Sequence, residues 1–164
     1  MSTATCAGAT MSRRDALRLL GLTGIALAAG SSLACGAGGA RAPAPAPIAY
    51  GRDECAWCRM PIDDPALAAE LVPARGAAQL FGEPGCLLAW LAAHPAAQGT
   101  AFVADAGGAG WLPAADARFV RGRVRTPMAF DLAAWRTLPA DVSPGAALTW
   151  AALRQEGAPR AEAR

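Results

Sequence analysis

Two thiols and a thioether stand close together in the run CAWCRM, which occupies residues 55–60. Cys55 and Cys58 form a C-x-x-C pair, and Met60 follows two residues later. A pair with this spacing can serve as a redox dithiol, as half of a zinc site, or as part of a site for a softer metal. Thiolate and thioether sulfur together select soft ions such as Cu(I). The six residues alone leave these three interpretations open.

The residues around the pair help to decide between them. In a thioredoxin-like enzyme the pair follows a buried strand and begins a helix, whereas here a Pro-rich run precedes it and Pro61 follows Met60. Zinc normally takes four Cys or His ligands, and the chain beyond this run offers only Cys86 and His94, at a spacing that forms no second knuckle. A c-type haem would need His in place of Arg59. Redox and zinc chemistry are therefore disfavoured, and haem attachment is excluded.

Three further side chains bear on a soft-metal site. Met128, in the run RTPMAF, follows a predicted strand in a Pro-containing loop, which suits a second thioether ligand, with core packing as its alternative role. Cys86 is a further candidate ligand, and its alternative is a small apolar residue in the first turn of a helix. His94 stands before Pro95 at a predicted helix end, where histidine interacts with the helix dipole. We exclude His94 from the site.

The N-terminal segment, residues 1–34, has the order of an export signal. The run SRRDALR, residues 12–18, resembles the twin-arginine motif. The apolar run after it is shorter than the about 20 residues that a membrane span needs. Met11 stands directly before the motif and is a candidate for the true start. We therefore expect the mature chain outside the cytoplasm.

The run SSLAC, which ends at Cys35, predicts how the mature chain begins. It resembles a lipobox, so Cys35 would carry the lipid anchor of a lipoprotein in the periplasm or on the outer face of the cytoplasmic membrane. Plain signal cleavage, which would give a secreted soluble protein, is the alternative. Residues 35–49 are rich in Gly, Ala and Pro and would form a flexible tether.

Charge and composition limit the function further. All 15 basic residues are arginine, and from Cys35 onward 12 arginines stand against 12 acidic residues. Because the mature chain is near neutral and has no basic stripe, we expect no nucleic-acid partner. A hydrophobic content of 54% in 164 residues suits one compact domain after the signal segment.

Short apolar runs broken by Gly and Pro predict an α+β domain. The expected elements are strands over 66–72, 77–81, 100–105 and 116–122, a helix that starts near Pro84, and a last helix over 143–157. This order suggests two related ββα-type halves, 50–98 and 99–157, that arose by internal duplication. The first half carries the C-x-x-C-x-M run and the second carries Thr-Pro-Met, and residues 158–164 form a tail.

Three separated runs together resemble the NosL family of nitrous oxide reductase accessory lipoproteins. They are DECAWCRMPID at 53–63, FGEPGCLLAWL at 81–91 and RFVRGRVRTPMAF at 118–130. The resemblance covers roughly residues 50–153, and the order of the three runs makes it more specific than the C-x-x-C pair alone. Two positions differ from the family pattern, because Arg59 and Ala129 stand where Gly is usual.

The resemblance implies a Cu(I) chaperone without catalytic turnover. Such a protein would deliver copper to nitrous oxide reductase through periplasmic and membrane partners, and its fold would be two related α+β halves. The ligands implied are Cys55, Cys58, Met60 and Met128. Two other functions stay open: a thiol-disulfide oxidoreductase that uses the C-x-x-C pair, and a structural lipoprotein whose cysteines form a disulfide.

Overall fold

The computed structural model describes residues 42–108, 110–157 and 159, all of which fall in the compact unit Ala40–Arg164. The predicted signal segment, the predicted lipidation site Cys35 and nearly all of the predicted tail lie outside the described residues. Within them, no helix is long and apolar enough to cross a bilayer.

A four-stranded antiparallel sheet forms the larger layer. Its strands are β1 (Ala69–Val72), β2 (Gln79–Phe81), β3 (Thr100–Ala104) and β4 (Trp111–Pro113), in the order β2-β1-β3-β4. In the hairpin, Ala69 lies opposite Phe81, and on the other side of β1 it lies opposite Val103. The predicted hairpin and the predicted strand at 100–105 are therefore confirmed. The sheet combines strands from both predicted halves, 50–98 and 99–157. The internal duplication that would relate these halves stays a prediction.

A second, two-stranded antiparallel sheet consists of β5 (Arg118–Arg121) and β6 (Leu132–Trp135). The loop between its strands carries the Thr-Pro-Met run. Phe119 in β5 also exchanges two backbone hydrogen bonds with Leu148, of 2.9 and 2.8 Å. The second sheet thus fixes both ends of the loop that bears Met128.

Helix α1 (Pro84–Ala93) packs against β1, β2 and β6. Proline at its first position is favourable, because that residue needs no N–H donor. At the other end the ring of His94 stacks on Trp90 at 4.1 Å, and its Nδ1 lies 2.8 Å from the Trp90 carbonyl oxygen. His94 therefore closes the helix end away from the thiols.

The predicted helix over 143–157 is wrong in its first half. Helix α2 spans Trp150–Glu156, and Thr149 caps it by accepting a 3.2 Å hydrogen bond from the N–H of Ala152. Residues Pro144–Ala146 form a separate 3-10 turn. The chain cannot be helical through Leu148, because the backbone of Leu148 pairs with Phe119.

The core lies between α1 and the strands. Its largest fully buried apolar side chains are Phe81, Phe119, Ile62, Leu87, Leu88, Leu112, Leu132 and Leu153. Two small antiparallel sheets with two helices confirm the predicted α+β class.

Candidate metal centre

The loop that carries CAWCRM is closed by its own backbone. The N–H of Cys55 donates to the carbonyl of Met60 at 2.9 Å, and the N–H of Arg59 donates to the carbonyl of Cys55 at 3.0 Å. A further bond of 2.8 Å, from the N–H of Ala56 to the carbonyl of Leu80, ties the loop to β2. The two thiols therefore stand on a tight turn attached to the sheet, and no strand precedes them within residues 42–54.

Arg59 adopts the left-handed backbone conformation in this turn, with φ of 65°. That conformation costs an ordinary residue about 1–2 kcal/mol, whereas glycine adopts it freely. The turn thus keeps the geometry that glycine would favour even though arginine stands there. Arg59 is exposed, and it directly follows Cys58 in the sequence.

Helix α1 brings a third thiol to the same place. Cys86 lies in the first turn of α1, where its N–H donates to the carbonyl of Glu83 at 3.1 Å. The sulfur atoms of Cys55, Cys58 and Cys86 all lie within 4.8 Å of one another. We call these three residues the thiol cluster, and they could hold a metal ion. Cys86 was only a further candidate in the sequence, because its position as a ligand depends on how α1 docks against the loop.

The electrostatics of the thiol cluster favour a thiolate at Cys55. A hydrogen bond from the Cys86 thiol, together with backbone N–H donors from Cys58, Gly82 and Trp57, overcomes burial and lowers the pKa of Cys55 to about 5. The same hydrogen bond to Cys55 and burial raise the pKa of Cys86. Burial raises the pKa of Cys58. At neutral pH the cluster therefore holds one thiolate and two thiols, and the thiolate is ready to bind a cation.

A buried carboxyl group faces the same cavity. Glu83 is 1% exposed, and its Oε1 accepts a 3.0 Å hydrogen bond from the N–H of Met128. Its Oε2 has no hydrogen-bond partner among the described residues. Burial raises the pKa of Glu83 more than the hydrogen bonds from Thr126 and Met128 lower it. Glu83 was not among the predicted site residues, although Glu is unusual at an N-cap position, where Ser, Thr, Asp and Asn are preferred.

The loop from Thr126 to Asp131 is held by reciprocal hydrogen bonds. The N–H of Thr126 donates to Asp131 Oδ1 at 2.8 Å, and the N–H of Asp131 donates to Thr126 Oγ1 at 2.9 Å. Arg125 pairs with the other carboxylate oxygen of Asp131 at 2.8 Å. Ala129, the second position that differs from the family pattern, has a φ of 57°. The loop therefore holds Met128 in a defined position.

Glycine at position 85 allows this loop to approach α1. A Cβ atom on Gly85 would lie 2.4 Å from the side chain of Phe130, which is closer than real contacts allow. The missing Cβ lets Phe130 pack directly on the first turn of α1. The chain thereby brings the Thr-Pro-Met loop next to the helix turn that carries Cys86.

The two methionines occupy different places. Met60 is exposed and lines a cavity of about 200 Å³ together with all three thiols and Glu83. The side chain of Met128 is half-buried and packs against the core, while its neighbour Pro127 lines the cavity. The structure thus brings together Cys55, Cys58, Cys86 and Met60, and it places the side chain of Met128 against the core.

Comparison with known proteins gave no match: no family model, no curated protein and no solved structure matches this chain. The interpretation of the site therefore depends on the geometry of the thiol cluster and on the resemblance of the sequence motifs.

Proposed function

We propose that this chain is an extracytoplasmic Cu(I) chaperone that delivers copper for the maturation of nitrous oxide reductase or a related copper enzyme. It binds and releases the ion without catalytic turnover. The observation that carries the proposal is the thiol cluster, three sulfur atoms within 4.8 Å of one another at the base of an open cavity. Cu(I) suits such a cluster because it is a soft ion that binds two or three sulfur ligands.

The composition of the cluster favours Cu(I) over zinc. A structural zinc site takes four Cys or His ligands. The only histidine, His94, lies eight residues after Cys86 on the same helix, which is about 12 Å along the axis at about 1.5 Å per residue. Glu83 lines the cavity but does not belong to the group of mutually close ligand atoms. Three sulfurs without a nitrogen ligand are the arrangement that a soft monovalent ion prefers.

The motif resemblance supports the choice of client and partners. The NosL-like runs suggest transfer to nitrous oxide reductase or to its assembly proteins, and the lipobox-like run before Cys35 suggests a lipid anchor at the membrane surface. In this proposal the three thiols hold the ion, and Met60 lines the same cavity as a further candidate thioether ligand. Met128 remains a candidate ligand through the family pattern, and its backbone lies next to the cavity through Glu83.

A thiol-disulfide oxidoreductase is the second candidate, because a pKa of about 5 at Cys55 resembles that of a reactive redox thiolate. The burial of the same residue opposes it. Cys55 is 0% exposed, so its sulfur cannot reach a disulfide on another protein without a change in the loop. The pair also lies in a turn and does not begin a helix.

The test is an anaerobic competition titration with a coloured Cu(I) chelator. We expect one Cu(I) per chain, and a loss of affinity of about 100-fold or more in Cys55→Ser/Cys58→Ser, since two of three thiolate ligands are removed. Cys35→Ser is the matched control, because the proposal gives that thiol to the lipid anchor and not to the metal. Unchanged affinity in the double variant would refute the proposal, and disulfide reductase activity that needs no copper would favour the second candidate.

A further inference from the structure

The thiols of the cluster differ in their access to solvent. Cys55 and Cys86 are buried, whereas Cys58 is half-buried and Met60 is exposed. All four residues line one cavity. An ion held by the three thiols would therefore be reached from solvent on the side of Cys58 and Met60.

The cavity is larger than a single ion requires. Its volume of about 200 Å³ corresponds to about seven water molecules at ~30 Å³ each. The exposed residues Pro61, Asp63 and Pro127 also line it, so it opens to solvent. One side chain of another protein can thus enter the cavity and approach the ion beside Cys58.

The two buried thiols are fixed more firmly than Cys58. Cys55 is 0% exposed and Cys86 is 1% exposed, and both belong to the hydrophobic core. Cys86 is part of the first turn of α1, and Phe130 packs on that turn at Gly85. Moving either sulfur would disturb the core, whereas Cys58 lies on the solvent side of the loop.

The loop around Cys58 also presents apolar surface. Among the described residues, the exposed large hydrophobic side chains are Tyr50, Trp57 and Met60, and two of these flank Cys58 in sequence. Contiguous exposed apolar surface marks contact sites for other proteins, and Trp57 and Met60 lie three residues apart in one loop. The same loop therefore offers both the accessible ligand and a surface for a partner.

From these observations we propose that the cluster has two kinds of ligand. Cys55 and Cys86 are the anchors that retain Cu(I), and Cys58 is the exchange ligand, which a partner replaces with one cysteine side chain inserted into the cavity past Met60. This division of roles rests on the proposed Cu(I) function.

The exchange step conserves charge and protons. The partner's thiol loses its proton as its sulfur bonds to Cu(I), and Cys58 takes up one proton as its own bond to the ion breaks. Copper stays in the Cu(I) state throughout, so the step needs no oxidant or reductant. The intermediate holds the ion by Cys55, Cys86 and the partner's sulfur, which keeps it three-coordinate.

The matched variants Cys58→Ser and Cys86→Ser test this division, with N-acetylcysteine as the probe for the partner's thiol. We expect Cys58→Ser to keep its Cu(I) affinity within about tenfold of the unsubstituted protein, and Cys86→Ser to lose about 100-fold or more. Native mass spectrometry should show a 1:1:1 complex of Cys58→Ser, Cu(I) and N-acetylcysteine, because the probe takes the vacated position. Equal loss of affinity in the two variants, or the same complex in Cys86→Ser, would overturn the inference.

A second measurement needs no variant and remains informative if Cys86→Ser does not fold. In the reduced protein without copper, N-ethylmaleimide should modify the thiolate form of Cys58 at least about tenfold faster than that of Cys55, as followed by peptide mass mapping over a range of pH, because rates compared per thiolate report access to the sulfur. Faster modification of a buried thiol would overturn the division of roles. Failure of the unsubstituted protein to bind Cu(I) would instead refute the proposed function itself.

Discussion

The Oε1 atom of Glu83 accepts a 3.0 Å hydrogen bond from the backbone N–H of Met128. The backbone carbonyl of the same glutamate accepts a 3.1 Å hydrogen bond from the N–H of Cys86. One residue at the start of α1 therefore holds both the third thiol and the Thr-Pro-Met loop. Glu83 therefore connects Cys86 and Met128, the two candidate ligands that lie farthest in sequence from the C-x-x-C pair.

Removing the Glu83 carboxyl group should release the loop. In Glu83→Ala we expect the Met128 amide to exchange with deuterium about two- to tenfold faster, since a hydrogen bond contributes about 0.5–1.5 kcal/mol. Glu83→Gln keeps an oxygen acceptor at the same position and should leave the exchange rate nearly unchanged. Equal exchange rates in the alanine variant and the unsubstituted protein would show that the contact does not hold the loop.

The ionisation of the thiol cluster predicts how many protons Cu(I) displaces. Because the pKa of Cys55 is lowered to about 5 while those of Cys58 and Cys86 are raised, only the latter two are protonated at neutral pH. Binding to all three sulfurs should release about two protons near pH 7, and the number should rise toward three as the pH falls through about 5. Calorimetry in buffers of different ionisation enthalpy measures this number. Release of about three protons near pH 7 would contradict a thiolate at Cys55.

Glycine should be favourable at Arg59 and Ala129, two of the three non-glycine residues with positive φ in the site loops. Arg59→Gly and Ala129→Gly should each raise the free energy of unfolding by about 0.5–1 kcal/mol, since φ is positive at both positions. Arg75→Gly is the control, because Arg75 is exposed and is not among the non-glycine residues with positive φ. It should lower stability by about 0.5 kcal/mol in the same chemical denaturation experiment. A lower free energy of unfolding in both loop variants would contradict the conclusion that the backbone is strained at Arg59 and Ala129.

A side chain at position 85 should separate the Thr-Pro-Met loop from α1. Gly85→Ala places a Cβ atom against Phe130 and should lower the free energy of unfolding by about 1–3 kcal/mol. Gly145→Ala is the matched control, since a Cβ there would have no neighbour within 4 Å. Thermal unfolding of the two variants checks the difference. Equal melting temperatures would mean that Phe130 does not pack on α1.

Glu70 should make stability depend on pH. It is buried in β1, where its Oε2 accepts a 2.8 Å hydrogen bond from the N–H of Ala46, and burial raises its pKa. The folded protein therefore binds this proton more tightly than the unfolded chain does. The contribution of protonated Glu70 to the free energy of unfolding is present below the ordinary pKa of glutamate. It is lost as the pH rises through the raised pKa of the folded protein.

Glu70→Gln should remove this loss of stability at higher pH, because glutamine does not ionise. Urea denaturation at about pH 4 and about pH 8 should show a smaller fall in stability for Glu70→Gln than for the unsubstituted protein. Asp116→Asn, at an exposed carboxylate, should leave the fall unchanged. If stability fell as much in Glu70→Gln as in the unsubstituted protein, Glu70 would not be the cause of the pH dependence.

Local signals in the sequence were sufficient for the hairpin and for the start of α1. Glycine between two apolar runs and proline at a first helical position act within a few residues, and both elements form where they were predicted. Strands β4 and β6 gave no such signal, because they are three and four residues long and depend on pairing with β3 and β5. Leu148 ends the predicted last helix through a contact with Phe119 that is distant in sequence.

The candidate site was only partly predictable for the same reason. Cys55, Cys58 and Met60 are neighbours in the chain, so their spacing alone placed them together. The position of Cys86 beside them depends on the docking of α1, and that of Glu83 depends on the fold of the loop after β5. Residues brought together by tertiary packing carry no local signal of their proximity.

The coordination of bound copper tests the central claim most directly. X-ray absorption spectroscopy of the protein loaded anaerobically with one equivalent of Cu(I) should show a shell of about three sulfur atoms and no nitrogen or oxygen. Cys86→Ser should reduce that number, since Cys86 belongs to the thiol cluster. A shell that contains nitrogen or oxygen, or a spectrum unchanged by Cys86→Ser, would contradict a Cu(I) centre built on the three thiols.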